Sequence, residues 1–204
     1  MKISLRHMFI TLHLEQLSEA AVFVEQAADK RLREVSPPVF TVDSESAVPE
    51  ELDEETKDEL RKVAAIYPQT LRRSLFVTSL AMFEDDLNTV CGDFIRRHQF
   101  TLTPHDLRDK GIEKYQKFLK HVCGLPFPDT GSEWQMIKRL GKLRNIFVHR
   151  GGRVLDDKDV RALIESNEFL ALHREQVVLK NGFVQDVVAI MTRFWDQFYS
   201  GLET

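Results

Sequence analysis

Ile10, Leu14, Leu17, Ala21, Val24 and Ala28 recur at intervals of three and four residues, the spacing of one helical face, and predict an amphipathic helix over about 10–33. Pro37 and Pro38 end it, because proline lacks the amide that a helix interior needs. The stretch TVDSESAVPEELDEE that follows is acidic and poor in apolar residues, and reads as a linker. A short helix is predicted from Pro49, a favourable first-turn residue, to about Ile66. Leu75, Ser79, Phe83, Leu87, Val90 and Phe94 then form one continuous stripe, which predicts a long core helix. TPHDLRDKGIEKYQKFLKHVCG opens on Thr-Pro, ends on Gly124 and predicts another core helix. After the loop LPFPDTG, Ser132 opens a further helix with Gln135 in the capping-box position, and Gly151-Gly152 stops it. Alternation around Asn181-Gly182 predicts a small β-hairpin, and VQDVVAIMTRFWDQFYSGL a closing amphipathic helix.

The pattern therefore predicts an all-α bundle carrying a small hairpin near the C-terminus. Residues 1–66 form an N-terminal helical arm with an acidic linker, and 67–204 the bundle proper. The helix that ends on the double glycine has an unusual projection. At roughly 100° per residue, Met136, Leu140, Leu143 and Phe147 fall within roughly 30° of one another and make the buried stripe. Asn145 and His149, with Lys138 and Lys142, lie nearly opposite. Arg144 sits on the flank with Ile137 and Val148, roughly 140° from His149.

Composition narrows the class. The 43% hydrophobic and 29% charged fractions suit a folded domain, and no stretch approaches the length of a membrane span. Arg6, His7, His13 and Glu15 interrupt the start too often for a secretory signal, so the expected location is the cytoplasm. Cys91 and Cys123 form no CxxC motif and read as free thiols. Neither they nor His98, His105 and His121 have ligand spacing, so no metal and no cofactor is expected. Asp85 and Asp86 beside Glu84 read as solvated positions of the long helix.

The net charge of −4 hides a division. Residues 43–59 hold nine acidic side chains and one lysine, whereas 138–153 hold six basic side chains and no acid. That basic window, centred on the glycine-stopped helix, is the footprint of a phosphate-binding surface. Within it, His149 offers a group that exchanges protons near neutral pH, and Arg144 a planar fork of donors matched to phosphate oxygens. Together they are a minimal set for cleaving RNA through its own 2′-hydroxyl. Because the two side chains diverge around the helix axis, a second copy packed about a two-fold axis is expected to complete the site.

RNIFVH, Arg144 to His149, resembles the R-x4-H motif of the HEPN superfamily of helical-bundle proteins, including the asparagine that follows the arginine. LRRSLFVTSLAMFEDDLN and DLRDKGIEKYQKFLKHVCGLPFP, ahead of LRNIFVHRGG, resemble the rest of that core, so the similarity spans about 68–155. The resemblance implies a HEPN-like bundle and a metal-independent endoribonuclease that acts as a homodimer and leaves a cyclic phosphate end. Members serve as toxins or anti-phage defence effectors, which implies an antitoxin or defence-system protein as a partner. It implies Arg144 and His149 as catalytic residues with Asn145 orienting them, and Glu84 as a supporting carboxylate. Lys138, Lys142 and Arg150 are the expected phosphate contacts. Other members are non-catalytic nucleotide-, RNA- or protein-binding modules, and that is the alternative expectation.

Overall fold

A computed structural model describes residues 5–36 and 53–203. In chain order it contains α1 (Leu5–Val35), α2 (Glu54–Arg61), α3 (Tyr67–His98), α4 (Ile112–Lys117), α5 (Ser132–Arg150), α6 (Lys158–Ser166), β1 (Leu170–His173), β2 (Gln176–Leu179) and α7 (Phe183–Gly201). The fold is all-α with one small C-terminal hairpin, as the periodicity predicts. None of the helices described is long and apolar enough to cross a membrane. The linker assigned to the acidic stretch falls mainly on residues outside those described, and so does Pro49. The described end of that stretch is helical. Asp53 caps α2 by accepting the Thr56 amide, and Glu59 pairs with Arg31 of α1.

The short helix and the long core helix run on without a break. Between α2 and α3, residues Lys62–Ile66 form a π-helical turn. Pro68 in the first turn of α3 cannot donate an amide hydrogen to the carbonyl one turn back, and the wider turn just before it takes up the mismatch. The 66/67 boundary thus lies within continuous helix, and Ile10, Leu14 and Leu17 of α1 belong to the same core as α3 and α7. Inside that core Phe83, Phe127, Trp134, Phe194 and Trp195 meet edge-to-face or tilted, with ring centroids 4.8–5.5 Å apart.

Three local expectations are corrected. Thr103-Pro104 does not open the helix before Gly124; Thr103 and Asp106 close a capping box on a single 3-10 turn, and α4 starts after Gly111. Ser132 and Gln135 make no capping box. Gly131 occupies the N-cap of α5, the Ser132 hydroxyl donates to Glu133, and the Gln135 amide reaches back to the Asp129 carbonyl. The hairpin turns at Arg174-Glu175, whose φ angles of 46° and 68° suit a tight two-residue loop, and not at Asn181-Gly182. Gly182 instead starts α7 with φ 90°, and a Cβ there would lie 2.8 Å from the Phe169 ring. The pattern also hid α6, where Asp157 accepts the Val160 amide and Val160, Leu163 and Ile164 are buried.

The seam between α1 and α3 carries charges at three levels. At one end the carboxylate of Glu25 receives both Nε and Nη2 of Arg72 at 2.6 Å, while Arg72 Nη1 donates to the Leu179 carbonyl of β2. At the other end Arg6 binds Asp93 at 2.8 Å, so the two helices run antiparallel. Between these pairs Asp86 is half-buried without an ion-pair partner among the described residues. Burial pushes its carboxyl up to about 6; Asp85 adds to the rise, and His13 and Arg6 oppose it.

Two outcomes follow from this seam. The side chains of Glu25 and Arg72 are only 10% and 15% exposed, so Glu25→Ala strands a charge in the core. It is expected to lower the unfolding free energy by about 3 kcal/mol, measured by urea denaturation. For Asp86 the native carboxyl titrates above the unfolded one, so its contribution is fully present below about pH 3.8 and is lost as pH rises through about 6. Asp86→Asn should therefore raise Tm by about 2–4 °C at pH 8 and change nothing at pH 4, read by thermal melts at both pH values.

Candidate functional site

The basic window lies on α5. Its core side is wider than the sequence projection, because α5 packs against both α3 and α7. Trp134, Ile137, Leu140, Leu143, Ile146 and Phe147 are buried, while Met136 is only half-buried. Ile137 therefore belongs to the core rather than to the flank. Asn145 and His149 are exposed on the outer face, as projected, and so is Lys142.

The double glycine stops α5 as expected. Gly151 and Gly152 take φ of 58° and 93°, and both amides return to the Ile146 carbonyl. Gly152 is fixed by contact as well as by backbone, since a Cβ there would meet the Phe147 ring at 2.9 Å. The Gly152 carbonyl then accepts the Val177 amide of β2, and Val154 donates to the Glu175 carbonyl. The end of the motif helix is thus tied to the hairpin.

A groove of about 450 Å³ runs across the outer face of α5, reaching α3 and the start of α4 on one side and α6 on the other. It brings together five of the residues singled out from sequence: Glu84, Lys138, Lys142, Arg144 and Asn145. Arg144 is half-buried there, and its Nη1 donates to the Asn145 side-chain oxygen at 3.0 Å. Its Nε is buried with no partner among the described residues. Glu84 shares the groove and forms no ion pair with Arg144. Lys142 is not a free cation. It pairs with Asp159 of α6, which holds the ammonium above its ordinary range and is itself held below the carboxylate range.

His149 and Arg150 do not line the groove; both are exposed at the C-terminal end of α5. Within one chain the histidine and the arginine of the motif therefore face different surroundings. Residues the sequence reading missed complete the groove: Lys110, Glu113, Gln135, Arg139 and Asp159. Arg139 stood in the basic run and was visible there. Lys110 and Asp159 come from elements distant in the chain, and no spacing marks them. With five cations against three carboxylates, the groove is suited to anions.

The carboxylates Glu84, Asp85 and Asp86 do not form one cluster. Glu84 faces the α5 groove, Asp85 is exposed, and Asp86 is turned toward charges of α1. Among the described residues no three His, Cys, Asp or Glu side chains gather closely enough to hold a metal ion. Burial raises the thiols Cys91 and Cys123 to about 12 and about 11, so neither is a reactive thiolate. No family model matches the chain, and no curated protein and no solved structure matches it.

Proposed function

We propose that the chain is a HEPN-like, metal-independent endoribonuclease that acts as a homodimer through the face of α5, in a toxin or anti-phage defence role within the cytoplasm. The observation that carries the reading is the placement of Arg144 and Asn145 in a cationic groove, with His149 one turn further along the exposed face. In this reading Arg144 clamps a phosphate of RNA with its guanidinium. Asn145 holds that guanidinium through its side-chain oxygen. His149 moves the proton of the attacking 2′-hydroxyl, and the product is a cyclic phosphate end. Lys138, Lys142 and Arg150 neutralise neighbouring phosphates, with Lys142 exchanging Asp159 for RNA. Glu84 balances the cations of the groove.

The divergence of Arg144 and His149 is the reason for the dimer. A two-fold axis beside α5 sets the arginine of one protomer against the histidine of the other. An antitoxin or defence-system protein is the further partner in this reading. One observation favours the rival, a non-catalytic RNA- or nucleotide-binding module: His149 lies outside the groove that holds Arg144.

Cleavage of a structured and an unstructured RNA in EDTA decides between them. Arg144→Ala and His149→Ala should each lose about 100-fold or more in rate. If the wild-type chain cuts nothing, or His149→Ala binds RNA and cuts it equally well, the nuclease reading fails. Mixing the two variants tests the shared site, because half of the re-formed dimers hold one intact Arg144–His149 combination. The mixture should regain about a quarter of wild-type activity, whereas a site built within one chain regains none.

A further inference from the structure

A second cationic surface lies away from α5, where α1, the last turns of α3 and the end of α7 meet. It is a cleft of about 880 Å³ whose lining includes Arg6, Arg96 and Arg97 together with Phe9, Phe94 and Leu202. Its charges are unevenly matched. Asp93 is shared between Arg6 at 2.8 Å and Arg96 at 2.5 Å, and Arg97 has no ion-pair partner among the described residues. Glu203 is the other carboxylate of the lining. Cations in the last turn of a helix complement its dipole, and Arg6 clamps α1 to α3. Those roles leave a surplus of guanidinium beside apolar walls.

The apolar side is also unusual. Phe9 is 47% exposed, and the outer face of α1 continues past it with Met8 and Leu12, at 51% and 45%. Large side chains held open to water beside a concave, cationic mouth are the features of a small-molecule site, and the volume falls within the ordinary range for one. A cation-rich rim excludes a neutral or cationic apolar ligand by leaving its charges uncompensated.

We propose that this cleft binds a small amphiphilic anion, with a carboxylate or phosphate-monoester head among Arg6, Arg96 and Arg97 and an alkyl or aryl body along Phe9, Phe94 and Leu202. Direct hydrogen bonds from guanidinium groups hold the head, and its arrival compensates the charge that Asp93 and Glu203 leave over. Burial of Phe9 against the body supplies the apolar part of the affinity.

Isothermal titration of the full chain with octanoate, octyl phosphate, octyltrimethylammonium and butyrate, all below micellar concentrations, tests this. Octanoate or octyl phosphate should bind at least about tenfold tighter than the cationic amphiphile and than butyrate. R96E/R97E should weaken that binding about tenfold or more, and a melt lowered by only a few degrees, from the lost Asp93 pair and the lost helix-end cations, shows that the variant stays folded. Phe9→Ser should weaken the octyl ligands and leave butyrate as it was. The site is rejected if neither anion binds, if the cationic amphiphile binds equally well, or if R96E/R97E binds like wild type. Sedimentation with phosphatidylglycerol vesicles without affinity for free octyl phosphate would also reject it, in favour of a lipid surface. The groove on α5 plays no part in this experiment, so its outcome is independent of RNA cleavage.

Discussion

The fork of Arg72 is a polar anchor common to three elements that also share the hydrophobic core. Two of its nitrogens close on the Glu25 carboxylate and the third reaches the Leu179 carbonyl, so α1, α3 and β2 are held by one side chain. Taking both charges out of water costs several kcal/mol, and only good bidentate geometry offsets it. What the pair confers is therefore register rather than surplus stability. With Glu25 fixed opposite Arg72, Arg6 falls opposite Asp93 at the far end of the same seam. Gln69 and Arg73 extend the hold on β2, since Gln69 exchanges two hydrogen bonds with Leu179 and Arg73 reaches the Val177 carbonyl. The Val177 amide in turn binds the Gly152 carbonyl just beyond α5. A continuous set of contacts thus leads from the buried ion pair to the end of the helix that bears His149.

That connection bears on why α5 can present a polar face at all. Its core side is filled by Trp134, Ile137, Leu140, Leu143, Ile146 and Phe147, and its last turn is pinned by β2. Asn145, His149 and Lys142 need not contribute to packing, and Arg144 sits at the boundary with α3. Displaying charge on a rigid, independently anchored helix is how a phosphate-binding surface is kept in shape without its ligand. The same rigidity keeps Arg144 and His149 apart within one chain, and in the proposed function that separation is what a second protomer relieves.

The helical period was legible wherever one face alone is buried. Ile10, Leu14, Leu17 and Ala21 on α1 lie on the buried side as read, and the glycine stop of α5 held because positive φ and a close aromatic contact both demand glycine. Outside those conditions the pattern was ambiguous. Glu25 continues the buried spacing from Ala21, but a carboxylate there is unintelligible without Arg72, 47 residues away. Asn181-Gly182 carries a hairpin signal, yet Phe169 claims the glycine for the start of α7 and the strands turn at Arg174-Glu175. The site divided in the same way. Spacing identified the outward face of α5, whereas Lys110, Glu113 and Asp159 enter the groove through tertiary packing that no local pattern encodes.

Both cationic surfaces share α3, and the difference between them follows from where along it each lies. Leu80 and Glu84 line the groove, while Val90, Asp93 and Phe94 line the cleft, on average about 15 Å further along a helix rising 1.5 Å per residue. The groove is walled by polar side chains of α4, α5 and α6, so an anion bound there remains close to water. The cleft sets the side chains of Phe9, Phe94 and Leu202 beside its arginines. Guanidinium surplus alone therefore does not decide the ligand; in the two proposals the aromatic side chains do, since Phe9 and Phe94 line the cleft and, among the described residues, no aromatic side chain lines the groove. In the two proposals a polyanion with hydrated phosphates goes to the first surface, and an anion attached to a hydrophobic body to the second.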